Sequence, residues 1–479
     1  MRNYTAKHAS HKAPQTVTEE FIEVSSGAES IRIGFSDQKI SGRAGLSTFC
    51  GFLAWHRFGE LLAGLLPQRQ AAAKLGRGGR PPQPSHEIAL GFIAGMLSGA
   101  QRLTHVAWLR VDPMLSRLLA VGQIASQSTL SRFFGLFRHA GINQRAFTPL
   151  WHWAMRRLPS LRGGYSLDLD STRLLHEDGH QEGVAVGYTR LGTKPCLHPL
   201  LAVFSEVRLV AAFWLRAGNS SCANNVVGFF LDLWEHLPAH LRVRVVRADS
   251  GFCVSELLRL WERLRLKFVV VARLSGPLQR LIRKETCWHP TEIAGTDVAE
   301  VTHTEADWPA DTRLILIRHR LKEKTGRAGG KRLFDCPGYL YQALGTNLPL
   351  TVKPLAVWRE YNGRAACEGV IKELDAGYGL PQLACESFWA TEAVLSFGVL
   401  AHNLVVLFER KLGWLEAVTV ASLRYWLFVT AGVLSQPQGQ TTIKLAVPPK
   451  ERDWWHRLWD KLLSPFPNCN AVENRPPIP

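Results

Sequence analysis

Three acidic residues sit in short motifs whose composition suits metal chemistry. Asp170 lies in Tyr165-Ser-Leu-Asp-Leu-Asp170-Ser-Thr, and Asp249 follows Val243-Arg-Val-Val-Arg-Ala and precedes Ser-Gly-Phe. Glu368 lies in Tyr361-Asn-Gly-Arg364-Ala-Ala-Cys-Glu368-Gly-Val-Ile-Lys372-Glu-Leu-Asp375. Carboxylate oxygens suit hard divalent cations. Two such ions roughly 4 Å apart serve phosphodiester displacement, one activating the nucleophile and the other stabilising the leaving oxygen. Each acid also has a plainer reading. Strand alternation turns Ser166, Asp168 and Asp170 to one face, so either aspartate could be the ligand. Asp249, at a strand-to-helix turn, could simply cap a helix. Arg364 and Glu368 could form an exposed i, i+4 ion pair contributing about 0.3–0.5 kcal/mol.

Helical phase selects the companions of Glu368. Positions 361, 364, 368, 372 and 375 follow i, i+3 and i+4 spacing along one polar stripe. Glu373 falls about 140° away from Glu368 and is expected to be solvated.

Stepping outward, the elements that must carry these acids run strand, strand, strand, helix, strand, helix, strand. The strands are expected near 165–172, 196–204, 207–215, 243–249 and 268–272, with helices near 223–237 and 255–264. Asp170 falls on the first strand and Asp249 ends the fourth. Residues 275–354 break this rhythm with strand-like segments at 298–302, 314–318 and 339–344 and a basic loop at 318–332, which read as a β-rich insertion. A helix then starts near Trp358, and an apolar helix covers 388–412. Trp288, Trp308 and Trp358, in or beside the insertion, are core-packing aromatics, with stacking on an extruded base as the sharper alternative.

The expected division of the chain is 1–41 a mobile arm, 42–160 a helical DNA-binding region, 161–274 the first part of an α/β core, 275–354 the insertion, 355–435 the second part of the core carrying Glu368, and 436–479 a tail rich in tryptophan and proline. Within the helical region, Gly122-Gln-Ile-Ala-Ser-Gln-Ser-Thr-Leu-Ser-Arg-Phe-Phe places capping serines before a helix. That helix should expose Gln127, Ser128, Ser131 and Arg132 while Leu130, Phe133 and Phe134 pack, so it is either a DNA-reading helix or only a capped one. The loop Lys74-Leu-Gly-Arg-Gly-Gly-Arg-Pro-Pro is a second basic candidate for phosphate contact.

Lys and Arg outnumber Asp and Glu by 57 to 40, giving a net charge of +17 that favours a polyanionic partner over an acidic small substrate. Double-stranded DNA is the expected partner. The apolar stretch 396–408 is too short and too polar at His402 and Asn403 to span a bilayer, and no secretory signal opens the chain, so no membrane is expected and the location is read as cytoplasmic. Nine cysteines without a C-x-x-C pair read as reduced core residues. His176, His180 and Glu182 lack a second ligand pair and read as a polar turn. No G-x-x-x-x-G-K-[ST] loop occurs, so ATP use is not indicated.

The Asp-Ser-Thr, Arg-Ala-Asp-Ser-Gly-Phe and Tyr-x2-Arg-x3-Glu motifs, in this order, resemble the DDE transposases of bacterial insertion sequences. Further family-like phrases are Gly179-His-Gln-Glu-Gly183, Thr346-Asn347-Leu348 and Ala401-His-Asn-Leu404, and the resemblance spans about residues 84–446. It implies a ribonuclease H-like mixed sheet flanked by helices and interrupted by a β-rich insertion. It further implies Asp170, Asp249 and Glu368 as ligands of two Mg2+ or Mn2+ ions, with Asp170 preferred over Asp168 because Asp-x-Thr is the family form. Tyr361 and Arg364 would contact phosphates at the element's ends. The implied activity is metal-dependent end cleavage and strand transfer into target DNA by a homodimer or larger assembly at the nucleoid. A nuclease of the same fold and a catalytically inactive DNA-binding descendant are the alternatives. The family signature ends in a lysine seven residues after the glutamate; this chain has Asp375 there, and Lys372 one turn earlier on the same face.

Overall fold

The computed structural model describes residues 22–26, 29–69, 81–177, 179–189, 192–301, 307–321, 331–333, 336–414, 416 and 418–464. Residues 74–80 of the basic loop expected at 74–82, and 322–330 of the one expected at 318–332, lie outside them.

The N-terminal region is helical because its apolar residues recur every third or fourth position. Ser85–Leu97 (α1) is buried almost all round. Gln127–Phe134 (α2) is capped by Ser126, whose hydroxyl accepts from Thr129 N at 3.2 Å. Ala140–Met155 (α3) follows. On α2, Leu130, Phe133 and Phe134 are fully buried, and Gln127, Ser128, Ser131 and Arg132 face solvent, as the spacing requires.

The central sheet begins with Tyr165–Ser171 (β1), Leu200–Phe204 (β2) and Leu209–Trp214 (β3), joined in antiparallel sequence. The helix Val226–Glu235 (α4) crosses to Val243–Ala248 (β4), and Ser255–Arg263 (α5) crosses to Phe268–Val271 (β5). β4 lies parallel to both β1 and β5, so the spatial order of the five is β5-β4-β1-β2-β3. This is the mixed sheet flanked by helices anticipated above. A small sheet of Leu174–Leu175, Ala185–Thr189 and Gly192–Leu197 intervenes before β2. Cys196 and Leu197, the start of the segment expected as one strand at 196–204, belong to it.

The insertion does not fold as a separate β unit. After the helix Gly276–Lys284 (α6), the strands Thr296–Val301 (β6), Arg313–Arg320 (β7) and Cys336–Thr346 (β8) extend the same sheet, β8 pairing antiparallel with both β5 and β7. Its tryptophans are packed. The Arg318 guanidinium lies 4.5 Å over Trp288, Trp308 abuts Gly345, and Trp358 donates to Gln342 at 3.2 Å.

Pro354–Asn362 (α7) and Ala365–Gly377 (α8) return across the sheet, followed by Phe388–Lys411 (α9). α9 falls within the apolar helix expected at 388–412, and at 24 residues it is long and apolar enough to cross a membrane by length and composition, whereas the stretch read from the sequence as too short to span covers only 396–408. It is instead the core helix, packing against α1, α3 and β3, with 94% of its most apolar window buried. The segment expected as a tail also folds. Thr442–Leu445 pairs with Gly432–Ser435, which pairs with Ile40–Ser41, and Arg452–Leu463 (α10) packs on Ser47–Trp55. Trp455, Leu458 and Leu462, spaced at three and four residues, form its buried stripe, a period hidden among prolines and charges. Part of the arm is ordered too: Ile22–Ser26 and Glu29–Ile33 pair as a hairpin. One continuous apolar cluster runs from Leu46 to Leu462 through helical region and sheet alike.

Candidate active site

The strand register brings the first two acids together. β1 and β4 are parallel with Ala248 opposite Leu169, so Asp170 and Asp249 leave the same end of the sheet on neighbouring strands about 4.8 Å apart. Asp249 caps the one-turn helix Ser250–Phe252, its Oδ1 accepting from Gly251 N at 2.8 Å. Capping and site membership therefore coexist, because a single carboxylate oxygen makes the cap. Cys222 packs between them: its Sγ is 3.3 Å from Ser171 Oγ, and a Cβ on Gly251 would lie 2.8 Å from that sulfur. Nothing in the sequence around Cys222 signals this placement, which arises from the loop following β3.

The third acid arrives on α8. Glu368 lies in its first turn and is exposed, Asp249 is half-buried and Asp170 is buried, so the group is graded from the sheet outward to solvent. Burial pushes the Asp170 carboxyl up to about 6; Arg364 opposes this, and the negative charges of Asp249 and Glu368 add to it. Both charges reach Asp170, so the three acids are neighbours. Their oxygens are the donor set a hard divalent cation takes. Among the described residues, however, no three His, Cys, Asp or Glu side chains are spaced to close on one ion.

What Asp170 holds is arginine. Arg364 Nη2 lies 2.6 Å from Asp170 Oδ2, and Asp170 Oδ1 accepts from Ser171 N at 2.8 Å. Arg364 is itself buried, and its Nε has no hydrogen-bond partner. Burial opposes its charge, and the Asp170 carboxylate is the largest of the effects that hold the proton on it. Tyr361, half-buried at the end of α7, feels both Asp170 and Asp249. The exposed-pair reading of Arg364 with Glu368 is thus replaced by a buried pair with Asp170.

Asp168 has a different fate although it shares the face of Asp170. It is one residue pair deeper in the sheet, opposite Arg247. Arg247 donates to its two oxygens at 2.6 and 3.0 Å, and Ser205 donates to it as well. The same guanidinium reaches Glu360 O at 2.9 Å, and Arg244 grips the Glu360 carboxylate at 2.7 and 2.9 Å. This network ties α7, and with it the start of α8, to β1 and β4. Sequence reading missed it. The available signal was two arginines, Arg244 and Arg247, in an otherwise apolar strand with a bulge between Val243 and Val245.

The rest of the polar stripe divides. Lys372 is exposed. Asp375 is half-buried, with Oδ1 enclosed and unpartnered, and burial raises its carboxyl to about 6. Glu373 is not solvated: it is buried, pairs with Arg208 and accepts from Val420 N at 2.9 Å. Helical phase placed it off the stripe correctly, but the far side of α8 faces the segment after α9 rather than water. His176 is buried and His180 exposed, while Glu182 Oε2 accepts from Phe388 N at 2.9 Å, so Glu182 serves the start of α9. A cavity of about 560 Å3 between α3 and the end of β3 contains none of the three acids.

A family model described as transposase DDE domain, group 1, matches residues 24–464. The chain is also similar to the cryo-EM structure of a piggyBac transposase synaptic complex with hairpin DNA, at 12% identity and a TM-score of 0.40 over 82% of each chain. No curated protein matches it.

Proposed function

This chain belongs to the DDE transposases, and on that premise we propose that Asp170, Asp249 and Glu368 are the acids through which it cleaves DNA at an element's ends and joins the freed strand to target DNA. The family uses divalent metal ions, and Mg2+ or Mn2+, as a pair, fits the all-oxygen donor set. Such ions, when bound, activate the attacking oxygen and stabilise the leaving one. The observation that carries the reading is the register: two aspartates at one end of adjacent parallel strands, with a glutamate on the helix that crosses beside them.

Each residue contributes by position. β1 fixes Asp170, the Gly251 amide orients one oxygen of Asp249, and the Arg247–Asp168–Glu360 network sets the helix pair that carries Glu368. Tyr361 and Arg364 lie against the acids and would grip the phosphate at the cleavage position, a planar guanidinium matching two phosphate oxygens at once. Lys372, exposed one turn beyond Glu368, supplies the basic contact that Asp375 does not. The exposed face of α2, with Gln127, Ser128 and Arg132, is a second DNA contact, and the net charge of +17 supports a duplex partner. A homodimer or larger assembly on DNA at the nucleoid is the working form.

The test is metal-dependent cleavage of DNA carrying the element's ends. Asp249→Ala and Glu368→Gln are expected to lose cleavage while gel-shift binding persists; retained cleavage by either variant overturns the assignment.

A further inference from the structure

The pairing of Arg364 with Asp170 carries a consequence for the order in which ligands bind. A buried carboxylate without a partner is costly, and three acids converging on one point repel one another. Here a single guanidinium answers both demands. Arg364 is buried, holds Asp170 Oδ2 at 2.6 Å and is stabilised by Asp249 as well. Yet Arg364 is not well satisfied where it sits. Its Nε is enclosed with no partner, its approach to Leu169 O is a long 3.5 Å, and Tyr361 and Asp249 lie beside it. A group held by one strong charge and otherwise underpaired is poised to exchange partners.

We propose that Arg364 is a built-in counter-cation that occupies the Asp170 carboxylate when DNA is absent, so that metal and DNA binding are coupled through its release. The inference rests on the assignment of Asp170, Asp249 and Glu368 as the metal-holding acids. A divalent cation needs the Asp170 oxygen that the guanidinium holds, and two cations sharing it repel. A DNA phosphate offers the guanidinium an alternative bidentate partner within reach of the same helix. Phosphate binding therefore frees Asp170, and by linkage the metal strengthens phosphate binding by the same factor. The DNA-free protein binds metal weakly, which guards against cleavage away from a bound duplex.

The experiment measures Mn2+ binding to the DNA-free full chain by electron paramagnetic resonance, with thermal melting as a second readout. Arg364→Gln is expected to bind Mn2+ about tenfold more tightly than the wild type. It should also melt lower without metal and gain more from Mn2+, whereas Arg364→Lys, which keeps a cation, stays near the wild type in affinity. Equal or weaker Mn2+ binding by a folded Arg364→Gln overturns the proposal. The double variant Arg364→Gln with Asp249→Asn separates this from the underlying reading. Loss of the tight Mn2+ site there supports the acids as its ligands, and undiminished binding overturns their assignment instead.

Discussion

Asp168 and Asp170 lie two residues apart on one strand face, and an arginine meets each of them, yet the two arginines do different work. Arg247 belongs to the sheet and is locked by Asp168, Ser205 and Glu360, whereas Arg364 comes from a helix and has little beyond Asp170. The two aspartates should therefore separate experimentally. Asp168→Asn is expected to lower the urea midpoint while leaving Mn2+ affinity within about twofold, and Asp170→Asn to abolish Mn2+ binding; the opposite pattern would make Asp168 the ligand. Arg247→Met leaves the Asp168 carboxylate buried and uncompensated, and a loss of about 3–5 kcal/mol is expected in urea unfolding. A second acid cluster contributes to the pH dependence of stability. Burial beside Glu373 raises the Glu409 carboxyl to about 8, with Arg208 opposing. The folded chain thus keeps a proton that the unfolded chain releases above its ordinary value of 4.5. This contribution to stability is fully present below that value and is lost as pH rises toward 8. Urea titrations at pH 5, 7 and 8.5 should show this decline in the wild type and a flatter profile in Glu409→Gln.

At the scale of elements, the family-like phrases outside the acidic motifs turn out to be fasteners. Asn403 on α9 reaches the exposed edge of the sheet, accepting from Val210 N at 2.9 Å and donating to Val210 O at 2.8 Å, while His402 meets Arg208 O at 2.9 Å. The helix thereby acts as a partner for β3, which among the described residues has no further strand beyond it. Asn347 does the same for the start of β5, accepting from Phe268 N and donating to Leu266 O, and Thr346 donates to Phe268 O at 2.6 Å. Glu182 fixes the start of α9 through Phe388 N. Replacing Asn403 by Leu leaves two buried backbone groups unpaired, and a loss of about 3 kcal/mol is expected by urea unfolding, since each such group costs about 1–3 kcal/mol. Hydrogen exchange at Val210 should accelerate in parallel.

At the scale of the whole molecule, the helical region, the sheet and the C-terminal helix share one apolar core, so α2, the helix proposed to contact DNA, is anchored to the same body as the acids. Binding driven by the excess of basic residues should weaken steeply with salt: duplex affinity is expected to fall about a thousandfold or more between 50 and 200 mM salt if six or more phosphates are neutralised, and a shallow slope in a salt titration would argue against an extended DNA surface. The strand and helix order, the faces of α2 and the three acidic motifs were legible in the sequence, because periodicity and turn chemistry are local properties that neighbouring residues impose. The side chain's partner is not local. That Asp168 would be committed to Arg247, that Arg364 would close on Asp170, that Glu373 would be buried and that the insertion would extend the central sheet all depend on which strands pair and in which register. So does the folding of the supposed tail, whose apolar stripe gains meaning only against Ser47–Trp55. Sequence determined the residues available for the chemistry, and tertiary packing decided which charges face one another, since charges far apart in the chain meet only once the sheet has set their distance.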